Sequence, residues 1–99
     1  MTKGSGDNQP RSRLLGQMSV ETEVHLRRMP VRQALDKLDR YLSDAVLAGY
    51  PWVRVVHGKG TGTMREAVRD FLSKHPLVVR HRPAAPNEGN GGVTIADLK

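Results

Sequence analysis

The stretch Val55-Val56-His57-Gly58-Lys59-Gly60-Thr61-Gly62-Thr63 runs from a β-branched segment through three alternating glycines into a helical pattern. Val53, Val55 and Val56 are strand formers. Met64, Ala67, Val68, Phe71 and Leu72 then recur at helical spacing. A strand that turns through glycine into a helix lets the backbone approach a ligand closely. The new helix adds unpaired N–H groups at the positive end of its dipole. A phosphate suits that place, and His57 at the strand's end carries an imidazole able to move a proton near neutral pH. Neither common nucleotide loop is present. The third glycine comes one residue early for the dinucleotide fingerprint. Lys59 precedes two of the glycines, whereas the NTP-binding loop ends in Gly-Lys-Ser/Thr. The stretch reads as an anion-binding turn, with a tight turn bearing a solvated lysine as the plainer alternative.

Working outward, Glu21 to Leu26 predicts a first strand. Pro30 suits the first turn of a helix, and Val31, Ala34, Leu35, Leu38, Leu42, Ala45 and Val46 mark its apolar face. Gly49 is a good stop for it. Arg32, Asp36 and Arg40, four apart on the opposite face, predict a solvated ion-pair ladder. A second strand runs from Pro51 and Trp52 to His57, and a second helix from Thr61 or Thr63 to just before Pro76. Leu77–Arg82 and Gly92–Asp97 are the third and fourth strands. Between them, Pro83 to Gly92 is long for a hairpin connection and reads as a mobile or functional loop. The order β-α-β-α-β-β predicts an α/β two-layer sandwich with a four-stranded mixed sheet. Both helices are expected on one face, with the other face partly open. The first crossover should join parallel strands, and the last strand should return antiparallel. Residues 1–20 lack sustained periodicity and read as a flexible linker or, in part, an expression scar, leaving 21–99 as the domain.

A chain of 99 residues, 37% hydrophobic, supports one small domain. It has no cysteine, which excludes a disulfide scaffold and a thiolate metal site. No apolar run is long enough for a membrane span and no signal peptide is visible, so the expectation is a cytoplasmic domain without a membrane partner. The net charge of +6 points towards polyanions.

The distribution of that charge is more telling than its sum. In parallel β-α units, strand C-termini and helix N-termini gather on one sheet edge. That edge receives Arg27 and Arg28 after the first strand, Arg32 in the first turn of helix one, His57 and Lys59 after the second strand, and Arg65 in the first turn of helix two. Cations at a helix N-terminus each cost about 0.3–1 kcal/mol unless an anion arrives. His25 shares a strand face with Arg27 and is expected beside His57 if the two strands are neighbours. Two histidines alone make a poor metal site, since zinc needs at least three protein ligands; no cofactor is expected and a divalent ion lacks ligand residues. His75 is expected to serve a helix end and His81 to be a surface residue. Trp52 is expected to pack on the sheet or a helix end, with base stacking as the alternative. Tyr41 and Tyr50 read as core or rim residues.

Glu23-Val24-His25-Leu26-Arg27-Arg28-Met29, the helix with Ala34-Leu35, His57-Gly58-Lys59-Gly60-Thr61-Gly62 and the late Gly92-Val93-Thr94 together resemble the Smr (small MutS-related) domain. The resemblance covers about Glu21 to Lys99. Its Lys-Gly-Thr-Gly version is similar to the Smr domain that ends the second-type bacterial MutS-like proteins. The resemblance implies a two-layer sandwich similar to the C-terminal domain of translation initiation factor three, and an upstream ATPase domain in the same protein. It also implies DNA- or RNA-nicking in some members, and roles in suppressing recombination or rescuing stalled ribosomes. The first motif departs from the family's usual Leu-Asp-Leu-His/Arg-Gly: His25 stands where the acid is typical, and Arg28 where the glycine is.

The function expected is nucleic-acid binding with nicking of DNA or RNA. Arg27, Arg28, Arg32, Gly58, Lys59, Gly60, Thr61, Gly62 and Arg65 would contact the nucleic acid. For chemistry, His57 would be the general acid or base and His25 the second proton-transfer group. Arg27, Lys59 and the Gly60–Gly62 amides would stabilise charge on the phosphoryl oxygens. The alternative is a docking module for ribosomal RNA or branched DNA that performs no chemistry.

Overall fold

The computed structural model describes residues 20–88 and 91–99; the expected linker, apart from Val20, lies outside the described residues. The elements are β1 (Glu23–His25), α1 (Val31–Leu47), β2 (Trp52–Val56), α2 (Thr63–Lys74), β3 (Val78–Pro83), a 3-10 turn (Pro86–Glu88) and β4 (Val93–Leu98). The order β-α-β-α-β-β is the one expected from periodicity, with boundaries displaced by one or two residues.

Pro30 sits in extended backbone immediately before α1, and the Ala34 N–H donates to its carbonyl at 2.9 Å. At the other end, Gly49 takes φ 85, so that its own N–H reaches Val46 O and the Tyr50 N–H reaches Ala45 O. These two reversed bonds satisfy helix carbonyls and turn the chain sharply towards β2. The entry to β1 is pinned by two phenols: the Tyr41 hydroxyl donates to Glu21 O and the Tyr50 hydroxyl to Val20 O. Val20 also packs on the core, so it belongs with the domain. Among the described residues, Arg32, Asp36 and Arg40 form no ion pair. Exposed pairs of this kind gain too little to hold long side chains in place.

The sheet order is β1-β2-β4-β3. β1 and β2 are parallel, with Val24 opposite Val55 and His25 opposite Val56. β4 runs antiparallel to both β2 and β3 and lies between them. Val24, Leu26, Val53, Val55, Ala96 and Leu98 point to one side, where they form a single buried cluster with Ala34, Leu38, Leu42 and Ala45 of α1 and Val68 and Leu72 of α2. Both helices therefore cover the same face. On the opposite face, the chain after β3 folds back so that Ala84 buries Val93 and Ile95 beside Val56.

His75 joins the two helices at their far end: its Nδ1 accepts the Leu77 N–H at 3.1 Å, so Nε2–H donates to Asp39 of α1 at 2.7 Å. Two histidine and aromatic expectations change. His81 is half-buried, with Nδ1 out of solvent, because its β3 position pairs with Ala96 on the helix-covered side. Trp52 is 48% exposed, because β2 alternation turns it to the open face.

Candidate functional site

β1, β2 and β3 all end on one sheet edge, and the helices α1 and α2 begin there. The connection into β4 arrives at the same edge. Between the ends of β1 and β2 and the start of β4 lies a cleft of about 460 Å³, lined by Arg27, Val56, Gly58, Lys59, Gly60, Gly92 and Val93. Val56 and Val93 belong to the open face, so the cleft opens onto that face of the sheet.

The glycine turn owes its shape to backbone that L-residues rarely adopt. Gly58, Gly60 and Gly62 have φ of 83, 41 and 92. At Gly58 a further constraint applies, since a Cβ there would meet the Arg27 Cγ at 3.2 Å. The Arg27 stem lies against the bare Gly58 backbone. Gly92 holds the turn from the other side: its carbonyl accepts both the His57 and the Gly58 N–H at 3.0 Å each. Gly62 precedes α2 directly, and no side chain caps that helix or α1. Thr61 and Thr63 bond each other through their hydroxyls at 3.0 Å.

Arg27, Arg28, Arg32 and Lys59 are exposed and Arg65 is half-buried. None of the five has a carboxylate at ion-pair distance among the described residues, whereas Arg54, Lys74 and Arg80 do. The first turn of α1 contains no acid. In α2, however, Glu66 shares the first turn with Arg65, so the charge violation expected at both helices is full only at α1.

His57 is 4% exposed, and its ring is committed on both sides. Nδ1 lies 2.8 Å from the Gly58 carbonyl, which can only accept, so Nδ1 carries the proton. Nε2 then accepts the hydroxyl of buried Thr94 at 2.9 Å. Burial pushes the imidazole below its ordinary pKa; the Gly58 carbonyl acts the other way, and the charges of Arg69 and Arg65 push it further down. The neutral ring is thus a peg between the glycine turn and β4.

His25 and His57 do not meet, although their strands are neighbours. In the parallel register His25 stands opposite Val56, and alternation sends the two histidines to opposite faces. His25 is on the open, cleft-bearing face, with Nε2 2.7 Å from a Glu23 carboxylate oxygen whose partner oxygen accepts Arg54 Nε at 3.2 Å. The hydrogen bond from His25 holds the Glu23 carboxyl below its ordinary value against some burial, with the charges of His25 and Arg54 assisting. Among the described residues no three His, Asp or Glu side chains converge on a metal-sized site.

Three residues of the site escaped sequence reasoning. Thr94 and Gly92 were visible only as members of the late Gly-Val-Thr segment. Arg69, whose Nε is buried without a hydrogen-bond partner among the described residues, sits one turn beyond Arg65 and could have been found by that spacing.

Fold and site together define a small two-layer α/β domain with a basic, glycine-lined sheet edge. The chain belongs to the Smr domain family, whose model matches residues 24–99. It is 60% identical over 80 residues to an endonuclease MutS2 from Thermomicrobium roseum, a match covering 81% of this chain and 10% of that protein. The chain thus spans about a tenth of the length of the curated relatives it matches. Among solved structures it is similar to the Smr domain of Thermus thermophilus MutS2, with 40% identity, a TM-score of 0.76, and coverage of 78% of this chain and 96% of that one. A stand-alone small MutS-related protein from Escherichia coli, YdaL, shares the fold at 24% identity and a TM-score of 0.74, over 79% of this chain and 64% of that one. No helix of the described residues is long and apolar enough to cross a membrane.

Proposed function

We propose that this chain binds the sugar-phosphate backbone of DNA or RNA at the glycine cleft. The observation that carries this reading is the gathering of Arg27, Arg28, Arg32, Lys59 and Arg65 on one edge without carboxylate partners among the described residues. A phosphate in the cleft would meet Lys59 Nζ and the Arg27 guanidinium, with the Gly60–Gly62 amides as further donors, since the Gly58 N–H is already given to Gly92 O. His57 serves this site by fixing the turn. Lys59→Ala and Arg27→Ala should each weaken binding about equally for all sequences and reduce the log–log salt slope by about one unit. Unchanged affinity and slope in both variants would remove the cleft from the interface.

A second reading, nicking of the bound strand, is favoured by one feature. His25, exposed on the same face as the cleft, is hydrogen-bonded to Glu23 and is thereby oriented for proton transfer. The name endonuclease borne by relatives such as the T. roseum protein supports it. Supercoiled DNA and structured RNA, incubated with the protein with and without chelator, decide between nicking and pure docking. His25→Ala should abolish any cleavage while leaving affinity within a few-fold. His57→Ala, by contrast, should lower binding and stability together, because the turn loses its peg. By the same similarity, the chain would act beside an upstream ATPase in a MutS-like protein, on recombining DNA or stalled ribosomes.

A further inference from the structure

The open face of the sheet carries a feature that phosphate binding at its edge does not use. Residues 52, 54 and 56 of β2 project from this face, and they span about 13 Å at the usual rise of a strand. Val56, at one end, forms part of the cleft. At the other end is Trp52, 48% exposed and facing Asp97 across the ladder. Between them is Arg54, and beyond Asp97 on β3 stand Arg80 and Arg82. Arg80 gives its Nε to Asp97 at 2.8 Å yet remains 77% exposed. Three arginines against the carboxylates of Glu23 and Asp97 leave this face positive, and an indole of this exposure offers its ring to a planar partner.

We propose that this face is a platform for single-stranded nucleic acid, on which Trp52 stacks an unpaired base of the strand held at the cleft. The proposal rests on the cleft's reading as a phosphate site and adds the form of the ligand. An indole can stack only on a base that has left its own stack. Arginines flanking the indole suit the backbone of such a strand and disfavour a basic protein partner. Beside the Ala84 segment that covers Val93 and Ile95, Trp52 and Arg54 of β2 lead along this face to the cleft, so a single strand can reach both.

Trp52 is the chain's only tryptophan, so its emission reports on this face alone. The 99-residue chain is titrated with a short oligothymidylate and with a blunt hairpin duplex, followed by indole emission and by anisotropy of labelled ligand. The oligothymidylate should quench Trp52. Trp52→Ala and Trp52→Leu should weaken its binding about ten-fold, as for the loss of one stacked base, while Trp52→Phe stays close to wild type. Hairpin affinity should hold within two-fold in all three, and Lys59→Ala should weaken both ligands. Urea melts of each variant establish that the fold is kept, and Trp52→Phe preserves an aromatic ring if the smaller side chains do not. If Trp52→Leu binds the oligothymidylate as wild type does while Lys59→Ala remains weak, the platform is overturned and the cleft stands. Equal weakening of both ligands by Trp52→Leu overturns the single-strand assignment. Loss of concentration-dependent self-association in that variant, with oligothymidylate binding intact, would mean that the face docks a second copy. Absence of salt-sensitive binding by wild type to either ligand would take the cleft reading down as well.

Discussion

Arg28 occupies left-handed backbone at φ 64, the one non-glycine residue among those described to do so. That conformation costs an L-residue about 1–2 kcal/mol, and this is the position where the family's first motif typically carries glycine. The chain therefore keeps an exposed guanidinium just after β1, next to Arg27 of the cleft, at the expense of backbone strain. Arg28→Gly should raise stability to urea by about 1 kcal/mol, less whatever the freer unfolded chain takes back. The same variant should bind oligonucleotides more weakly, with a shallower salt dependence. His57 makes the second prediction at this scale. Its folded pKa is depressed, so below the unfolded value of ~6.5 the unfolded chain holds a proton that the folded chain does not. Stability contributed by the neutral ring is therefore present above ~6.5 and is lost as pH falls from there towards the folded pKa. Melting temperatures compared between pH 7.5 and 5.5 should show this loss, and His57→Gln, less stable throughout, should lack that part of the slope. A proton NMR titration of the ring gives the folded pKa directly, and a value at or above the ordinary one would refute the assignment.

At the scale of elements, Gly49 and Gly58 separate a glycine needed for shape from one needed for shape and contact. A Cβ at Gly49 would meet nothing within 4 Å, so Gly49→Ala should cost only the backbone conformation, about 1 kcal/mol, with binding unchanged. Gly58→Ala carries the same backbone cost and also displaces the Arg27 stem, so oligonucleotide affinity should fall with stability. Equal binding by both variants would mean that Arg27 does not depend on the turn. The helices and strands themselves were legible, because an apolar face at 3.6 or 2 residues records burial wherever the partner lies. Leu38, Leu42, Val53 and Val55 all fell where periodicity put them. Periodicity does not say which strand is the neighbour. The insertion of β4 between β2 and β3 was not readable for that reason, nor was Thr94 as the partner of His57. The cleft was half legible. Arg27, Gly58, Lys59 and Gly60 line it as expected, whereas His25 stands on the opposite face from His57 because a parallel register of 25 to 56 leaves 57 out of step. Trp52 is not legible from its residue type: tryptophans usually pack, and only the face to which β2 turns it decides otherwise.

For the molecule as a whole, the surplus of positive charge is an unevenly used resource. Arg54, Arg80 and Lys74 are engaged with carboxylates, while Arg27, Arg28, Arg32, Lys59 and Arg65 at the sheet edge have none at ion-pair distance among the described residues. Encounter with a polyanion should therefore be fast at low ionic strength and slow steeply as salt rises. Stopped-flow association rates at 50 and 200 mM salt check this: Lys59→Ala should lower the salt dependence of the rate, and Lys74→Ala, on the far end of α2, should not.

Because β4 is both the final strand and the one that joins β2 to β3, the order of assembly is constrained. Before it arrives, β1 and β2 can pair, but β3 has no neighbour and Thr94 and Gly92 cannot reach His57. The pairs that join β4 to β2, from Trp52 with Asp97 to Val56 with Val93, are non-local, and such contacts slow folding. A folding chain would thus lack the complete sheet edge until β4 was free to insert. Competence would then switch on in a single late step, and not grow with length. A ladder of C-terminal truncations, tested for cooperative melting and for oligonucleotide capture, should show both properties vanish together once β4 is shortened past Thr94.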